Sequence, residues 1–154
     1  MVLATRQAAR RALALKIGAT DVIDPAAGDS VAAIRAVAPE GVDVALECAG
    51  VPETFRQSLA VVRRGGSAVL FGVMAKGRRV EVEPFDLLFR EVQLRPAYLN
   101  PYTHRRAAQM IAAGQLRLDP LISRIIALDD LPDELAAEPR WGDVKVMVRP
   151  NGDG

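Results

Sequence analysis

The side chains best equipped for chemistry sit where apolar runs stop. Glu47-Cys48-Ala49-Gly50 follows the run from Val42 to Leu46, and Phe71-Gly72-Val73 follows Ala68 to Leu70. A carboxylate beside a thiol could serve acid–base or nucleophilic work, whereas small residues at a strand end could admit a ligand to the backbone. Cys48 is the only cysteine, lies on a hydrophobic strand and has no histidine nearby in sequence, so it reads as a small core residue rather than a nucleophile. Glu47 reads as a strand-end carboxylate bonded to nearby backbone. His104, the only histidine, falls on a helical pattern after Pro101 and reads as a surface residue. One Cys and one His are too few for a structural zinc site, and a lone cysteine forms no intrachain disulfide. The only glycine pair, Gly65-Gly66, precedes a strand, and no Gly-x-Gly-x-x-Gly occurs. Residues 41–50 and 65–73 thus read as two βα units of a nucleotide-binding sheet without the phosphate loop, which must follow a strand.

The elements that position these residues alternate. Val2 to Thr5 reads as a strand, and residues 7–17 as a helix closed by Gly18. A short strand at 20–24 stops at Pro25. Asp29 or Ser30 caps a helix to about Val37. Val42, Val44 and Leu46, with Ala45 between them, form a strand expected to be buried on both faces. Pro52 opens a helix over 53–63, and Gly65-Gly66 turns the chain into Ala68 to Phe71. The remainder reads as an extended piece at 79–83, the segment Pro84 to Phe89, a strand at 92–98, and a helix from Asn100-Pro101 to about Ala113. Leu121 to Leu128, an acidic helical segment at 129–138 and a strand from Val144 to Val148 complete it. Strands alternating with helices predict an α/β fold with a parallel sheet.

At 154 residues, half hydrophobic and a quarter charged, the chain can bury a real core. A net charge of +1 gives no electrostatic case for nucleic acid or an anionic membrane, and neither is expected as a partner. No apolar run approaches a membrane span, and the N-terminal residues lack a signal-peptide pattern, so a cytoplasmic protein is expected.

The residues also match a family. Arg10-Arg-Ala-Leu-Ala-Leu-Lys-Ile-Gly-Ala-Thr-Asp-Val-Ile-Asp24 resembles the second βα unit of medium-chain, zinc-type alcohol and polyol dehydrogenases, closest to the sorbitol and threonine dehydrogenase-like branch. Gly41 to Gly50 resembles the fourth strand of that family and Gly65 to Val73 its fifth. Asp119-Pro-Leu-Ile-Ser123 and Val144-Lys-Val-Met-Val148 resemble its C-terminal segment. The resemblance runs from about residue 2 to 149. It implies a partial Rossmann-like doubly wound sheet lacking its first strand, with 1–99 as a partial dinucleotide-binding domain, 100–150 as a C-terminal segment packing on an absent catalytic domain, and 151–154 as a polar tail. In the strand order 3-2-1-4-5-6, that absence would separate a two-strand piece (2–5 and 20–24) from a three-strand piece (42–48, 67–72 and 92–98) and open two edges.

The resemblance also assigns a cofactor site. An acidic residue ending the second strand takes the ribose 2′-OH, whereas an arginine nearby accommodates a 2′-phosphate. Thr5 and Arg6 hold the matching positions, so NADP is favoured over NAD. Cys48, Ala49 and Gly50 would border the cofactor, Phe71, Gly72 and Val73 would approach the nicotinamide carboxamide through backbone groups, and Lys145 matches a basic position that reaches the phosphates. No catalytic residue and no metal ligand is expected in this chain; zinc would belong to the absent N-terminal domain. Pro96 stands where relatives commonly carry glycine, in a strand that lies at the dimer edge of the family. The expected activity is hydride transfer between nicotinamide and an alcohol, polyol or ketone, with this chain alone inactive and poorly soluble. The expected partners are that small-molecule substrate and either further copies of the chain or a complementing chain. The competing readings are a non-catalytic remnant or interaction subunit pairing through open sheet edges, and a zinc-independent reductase of the same superfamily.

Overall fold

A computed structural model describes residues 1–99, 102–140 and 142–151. They form an α/β chain in which every paired strand is parallel. Two compact units contain these elements, one made of residues 1–24 with the C-terminal part from 100 onward, the other of 25–99.

In the first unit, β1 (Val2–Ala4) pairs with β2 (Asp21–Ile23) across the crossover helix α1 (Ala8–Lys16). The expected glycine stop is a full Schellman motif. Gly18 takes φ +116, its N–H donates to the Leu15 carbonyl, and Ala19 N–H reaches back to the Ala14 carbonyl at 2.8 Å. The same motif closes a later helix at Gly114, where Gln115 N–H donates to the Met110 carbonyl.

In the second unit, α2 (Ser30–Val37) begins at Asp29, whose carboxylate accepts from Val31 N and Ala32 N as the cap pattern requires. Then come β3 (Val42–Glu47), α3 (Pro52–Val61), β4 (Val62–Leu70), α4 (Pro84–Phe89) and β5 (Gln93–Pro96), and the sheet order is β3-β4-β5. Its core is Phe55 and Leu59 of α3 against Val62 and Ala68 of β4. The two-strand and three-strand pieces expected from the strand order are therefore both present, as separate sheets.

Two expectations are corrected here. β4 starts directly at the end of α3, so Gly65-Gly66 lies inside the strand and not before it. The register explains why: β4 advances from Val62 to Ser67 while β3 advances only from Val42 to Val44. This bulge brings Gly66 so close to β3 that a Cβ would sit 2.8 Å from the Asp43 carbonyl oxygen. Second, β3 is not buried on both faces. Ala45 packs toward the α3 core, but Val44 and Leu46 are 54% and 65% exposed on the opposite face. β3 is an edge strand of its sheet. Pro96 lies on the other edge, where its missing N–H breaks no ladder bond.

The C-terminal part adds α5 (His104–Ala112), β6 (Ile122–Ala127), α6 (Leu131–Ala136) and β7 (Lys145–Arg149), with β6 and β7 forming a two-stranded parallel sheet. Asn100 and Pro101, read above as opening the helix, lie outside the described residues. Arg124 holds this part together, pairing with Glu134 of α6 and, at 2.8 Å, with Asp143 ahead of β7. No helix among the described residues is long and apolar enough to cross a membrane.

Candidate functional site: two strand-end turns and an arginine corner

Glu47 ends β3 and organises everything around it. Its side chain is buried, and Oε1 accepts from Ala49 N and Gly50 N at 2.8 Å each and from the Thr54 hydroxyl at 2.6 Å. Those three bonds fix the turn after β3 and the first turn of α3, whose N-cap residue, Val51, supplies no side-chain acceptor. The Glu47 main-chain carbonyl accepts from Phe71 N at 2.9 Å and Gly72 N at 2.7 Å, fixing the turn after β4 as well. One residue thus holds both turns. Its Oε2 is buried without a hydrogen-bond partner among the described residues.

The two turns meet backbone to backbone. A Cβ at Gly72 would lie 2.3 Å from Gly50 N and 2.8 Å from Glu47 Oε2, and one at Gly50 would lie 2.5 Å from the Val73 carbonyl oxygen. Gly50 also takes φ +69, a conformation that favours glycine. The close approach that Gly72 permits is therefore first of all to Gly50. On the rim of this junction Cys48 is exposed, not the core residue expected of it, because it lies past the last residue of β3; Ala49 is exposed as well, and Phe71 and Val73 present open apolar side chains. Partial burial, with the Glu47 carboxylate next to it, pushes the Cys48 thiol above its ordinary pKa, which keeps it protonated and a poor nucleophile.

The corner at the end of β1 is built differently. Thr5 N–H donates to the Ile23 carbonyl at 3.0 Å, extending the β1–β2 pairing by one bond. The Thr5 carbonyl accepts from Arg11 Nη1 at 2.7 Å, and Arg11 Nη2 pairs with Asp24 at 2.8 Å. Arg6 follows on a bend, exposed. Arg10 turns the other way, donating Nη2 to the Asp143 carbonyl at 2.7 Å. Lys145 is exposed on β7, and no hydrogen bond or ion pair among the described residues links it to Thr5 or Arg6.

Of the residues singled out from sequence, the structure brings together Cys48, Ala49 and Gly50 with Phe71, Gly72 and Val73, and sets Thr5 beside Arg6. His104 is exposed at the start of α5. The bonded state expected for Glu47 is present, but its reach across two turns, and the brace formed by Arg11, had no sequence signal beyond residue type. No group of three His, Cys, Asp or Glu among the described residues could hold a metal ion, so no step through a metal is derived for them. Each part by itself suits a piece of a nicotinamide nucleotide: the turns offer small and apolar side chains with exposed backbone at the carboxyl ends of parallel strands, and the corner offers a guanidinium for phosphate.

Parallel strands with crossover helices and ligand-competent turns at their carboxyl ends define a dinucleotide-binding class of α/β protein. Within that class, residues 1–113 match the family model described as zinc-binding dehydrogenase. The chain belongs to the zinc-binding dehydrogenase family. It is 33% identical over 146 residues to geraniol dehydrogenase of Castellaniella defragrans, with 92% of this chain and 39% of that protein covered. (R,R)-butanediol dehydrogenase of Bacillus subtilis is 31% identical over 145 residues, with 92% and 41% covered. A Sinorhizobium meliloti 1021 structure described as a zinc-binding dehydrogenase bound to NADP superposes with a TM-score of 0.89 at 46% identity, covering 97% of this chain and 44% of that one. The chain thus spans about two fifths of the length of these relatives.

Proposed function

We propose that this chain is a portion of an NAD(P)-dependent, zinc-type oxidoreductase that moves hydride between nicotinamide and an alcohol or polyol or the corresponding ketone. The observation that carries this reading is the pair of interlocked turns at residues 48–50 and 71–73, held by Glu47 at the carboxyl ends of two adjacent parallel strands. Open α/β sheets take their ligands at such ends. Cys48, Ala49, Gly50, Phe71, Gly72 and Val73 form one wall of the nicotinamide site; Thr5 and Arg6 take the ribose end, and Lys145 reaches toward phosphate. A bound nicotinamide supplies the hydride chemistry itself. The chain's own residues orient that ring and, through exposed Phe71 and Val73, keep water from its face. Zinc belongs to a catalytic domain outside these residues, and the protein is cytoplasmic. Residues 1–99 act as the cofactor-binding part and 100–150 as the segment that packs on the catalytic domain.

NADP is the favoured cofactor, because Thr5 removes the carboxylate that would repel a 2′-phosphate and Arg6 supplies a forked donor. The test is turnover by the polypeptide at its native length, with its intact mass read through the C-terminal sequence. A mass well over twice that of these 154 residues, as coverage of about two fifths of the relatives requires, with NADPH-dependent carbonyl reduction, supports the reading. A Thr5→Asp, Arg6→Pro double change should then shift preference toward NADH; an unchanged ratio removes the NADP assignment. Absence of any cofactor binding in that polypeptide removes the enzyme reading.

A second reading rests on β3 being an edge strand with exposed apolar Val44 and Leu46 beside that edge. In it, the chain is an interaction subunit to which a complementing chain adds a strand. A native mass equal to these 154 residues, with a co-purifying partner on that edge, selects this alternative.

A further inference from the structure

Arg6, Arg10 and Arg11 cluster after Thr5, and the structure gives each a different task. Arg10 is drawn to the Asp143 carbonyl. Arg11 spends one nitrogen on the Thr5 carbonyl and another on Asp24. Only Arg6 is exposed with its guanidinium unengaged among the described residues. Thr5 is consequently pinned on both sides of its backbone, its N–H by the Ile23 carbonyl and its C=O by Arg11, immediately before the bend that launches Arg6.

We infer that Arg11 is a positioning residue that sets selectivity for a 2′-phosphorylated nucleotide, bracing the Thr5 carbonyl so that the Thr5 hydroxyl and the Arg6 guanidinium meet one phosphate. The inference rests on the NADP reading above and extends it to a residue that touches no ligand. The forked guanidinium is what makes the brace work. It serves a neutral carbonyl and a carboxylate at once, which a lysine ammonium on a flexible stem does far less well. Without the brace, the corner must be ordered at the moment of binding, and that cost falls on the phosphate contact specifically.

The test is calorimetric titration of the native-length polypeptide with 2′-AMP and 5′-AMP, which share base, ribose and charge and differ in where the phosphate sits. The wild-type protein should prefer 2′-AMP, and Arg6→Ala should abolish that preference. Arg11→Ala should cut the preference about tenfold, the scale of one charge-assisted hydrogen bond, while leaving 5′-AMP affinity unchanged. Asp24→Asn should give an intermediate ratio and decides the matter if Arg11→Ala fails to fold. A wild-type ratio in the decisive variant, or equal weakening of both nucleotides, overturns the role of Arg11 and leaves the NADP reading standing. A wild-type protein without preference for 2′-AMP overturns the NADP reading, and the inference with it.

Discussion

The turns after β3 and β4 and the corner after β1 all occupy carboxyl ends of parallel strands, yet opposite means hold them. The turns are locked by a buried carboxylate and by contact between glycine backbones with no room for a methyl group. The corner is held by a guanidinium and a carboxylate whose side chains are 20% and 30% exposed. Buried polar bonds in low dielectric are costly to leave unmade, whereas partly exposed ion pairs are screened and contribute little to stability. The turns are therefore a rigid platform that tolerates almost no substitution. The corner can be altered at a smaller cost to the fold.

The largest break in that contrast should come from Gly72→Ala. Its Cβ would meet backbone, which cannot swing aside, so a loss of about 3 kcal/mol of unfolding free energy is expected, read from the shift of the urea midpoint. A midpoint within error of the parent would mean that the two turns separate freely. Next comes Glu47→Ala, which strands the Ala49 and Gly50 amides and the Thr54 hydroxyl; about 2 kcal/mol should be lost. Glu47→Gln keeps an acceptor oxygen in place and should recover most of it. Equal losses in the two variants would show that charge, not acceptance, is what Glu47 supplies.

The smallest effect belongs to the partly exposed ion pairs and is read by pH. Hydrogen bonding to Arg124 holds the Glu134 carboxyl below its ordinary pKa, and hydrogen bonding to Arg90 does the same for Asp86. A folded-state pKa below the unfolded one means stability that is present above the ordinary carboxylate range, about 4, and lost as pH falls through the folded values. The urea midpoint should hold from neutrality to about pH 5 and then decline in acid, with Glu134→Gln flattening part of that decline. An acid limb unchanged in that variant would remove the Arg124 cluster as a source of the pH dependence. Salt should weaken this contribution while leaving the glycine-locked turns untouched.

Much of the local structure was legible in the sequence because local chemistry dictates it. Asp29 ahead of Val31 and Ala32 is a cap whatever surrounds it, Gly18 and Gly114 stop helices through conformations other residues resist, and Pro52 begins α3. The alternation of strand and helix, with crossovers of sufficient length, required parallel pairing. The end of α3 is not legible in the sequence, because Val62 and the residues after it carry no local signal distinguishing a turn from a bulged strand; the register against β3 decides. The exposure of Val44 and Leu46 was equally hidden, since an apolar side chain on a strand is the same residue whether or not another layer covers it.

For the site, the amino-acid sequence by itself determined which strand ends carry small residues and that a threonine and an arginine follow β1, because both are matters of residue type at a position. Tertiary structure alone decided that Glu47 ties two turns, that Gly72 faces Gly50, and that of three neighbouring arginines one braces Thr5, one reaches Asp143 and one stays exposed. Most of these contacts join residues far apart along the chain, and even the short Arg11–Thr5 brace depends on how α1 packs after β1. Their existence depends on ångström-scale register between strands, which no residue type encodes on its own.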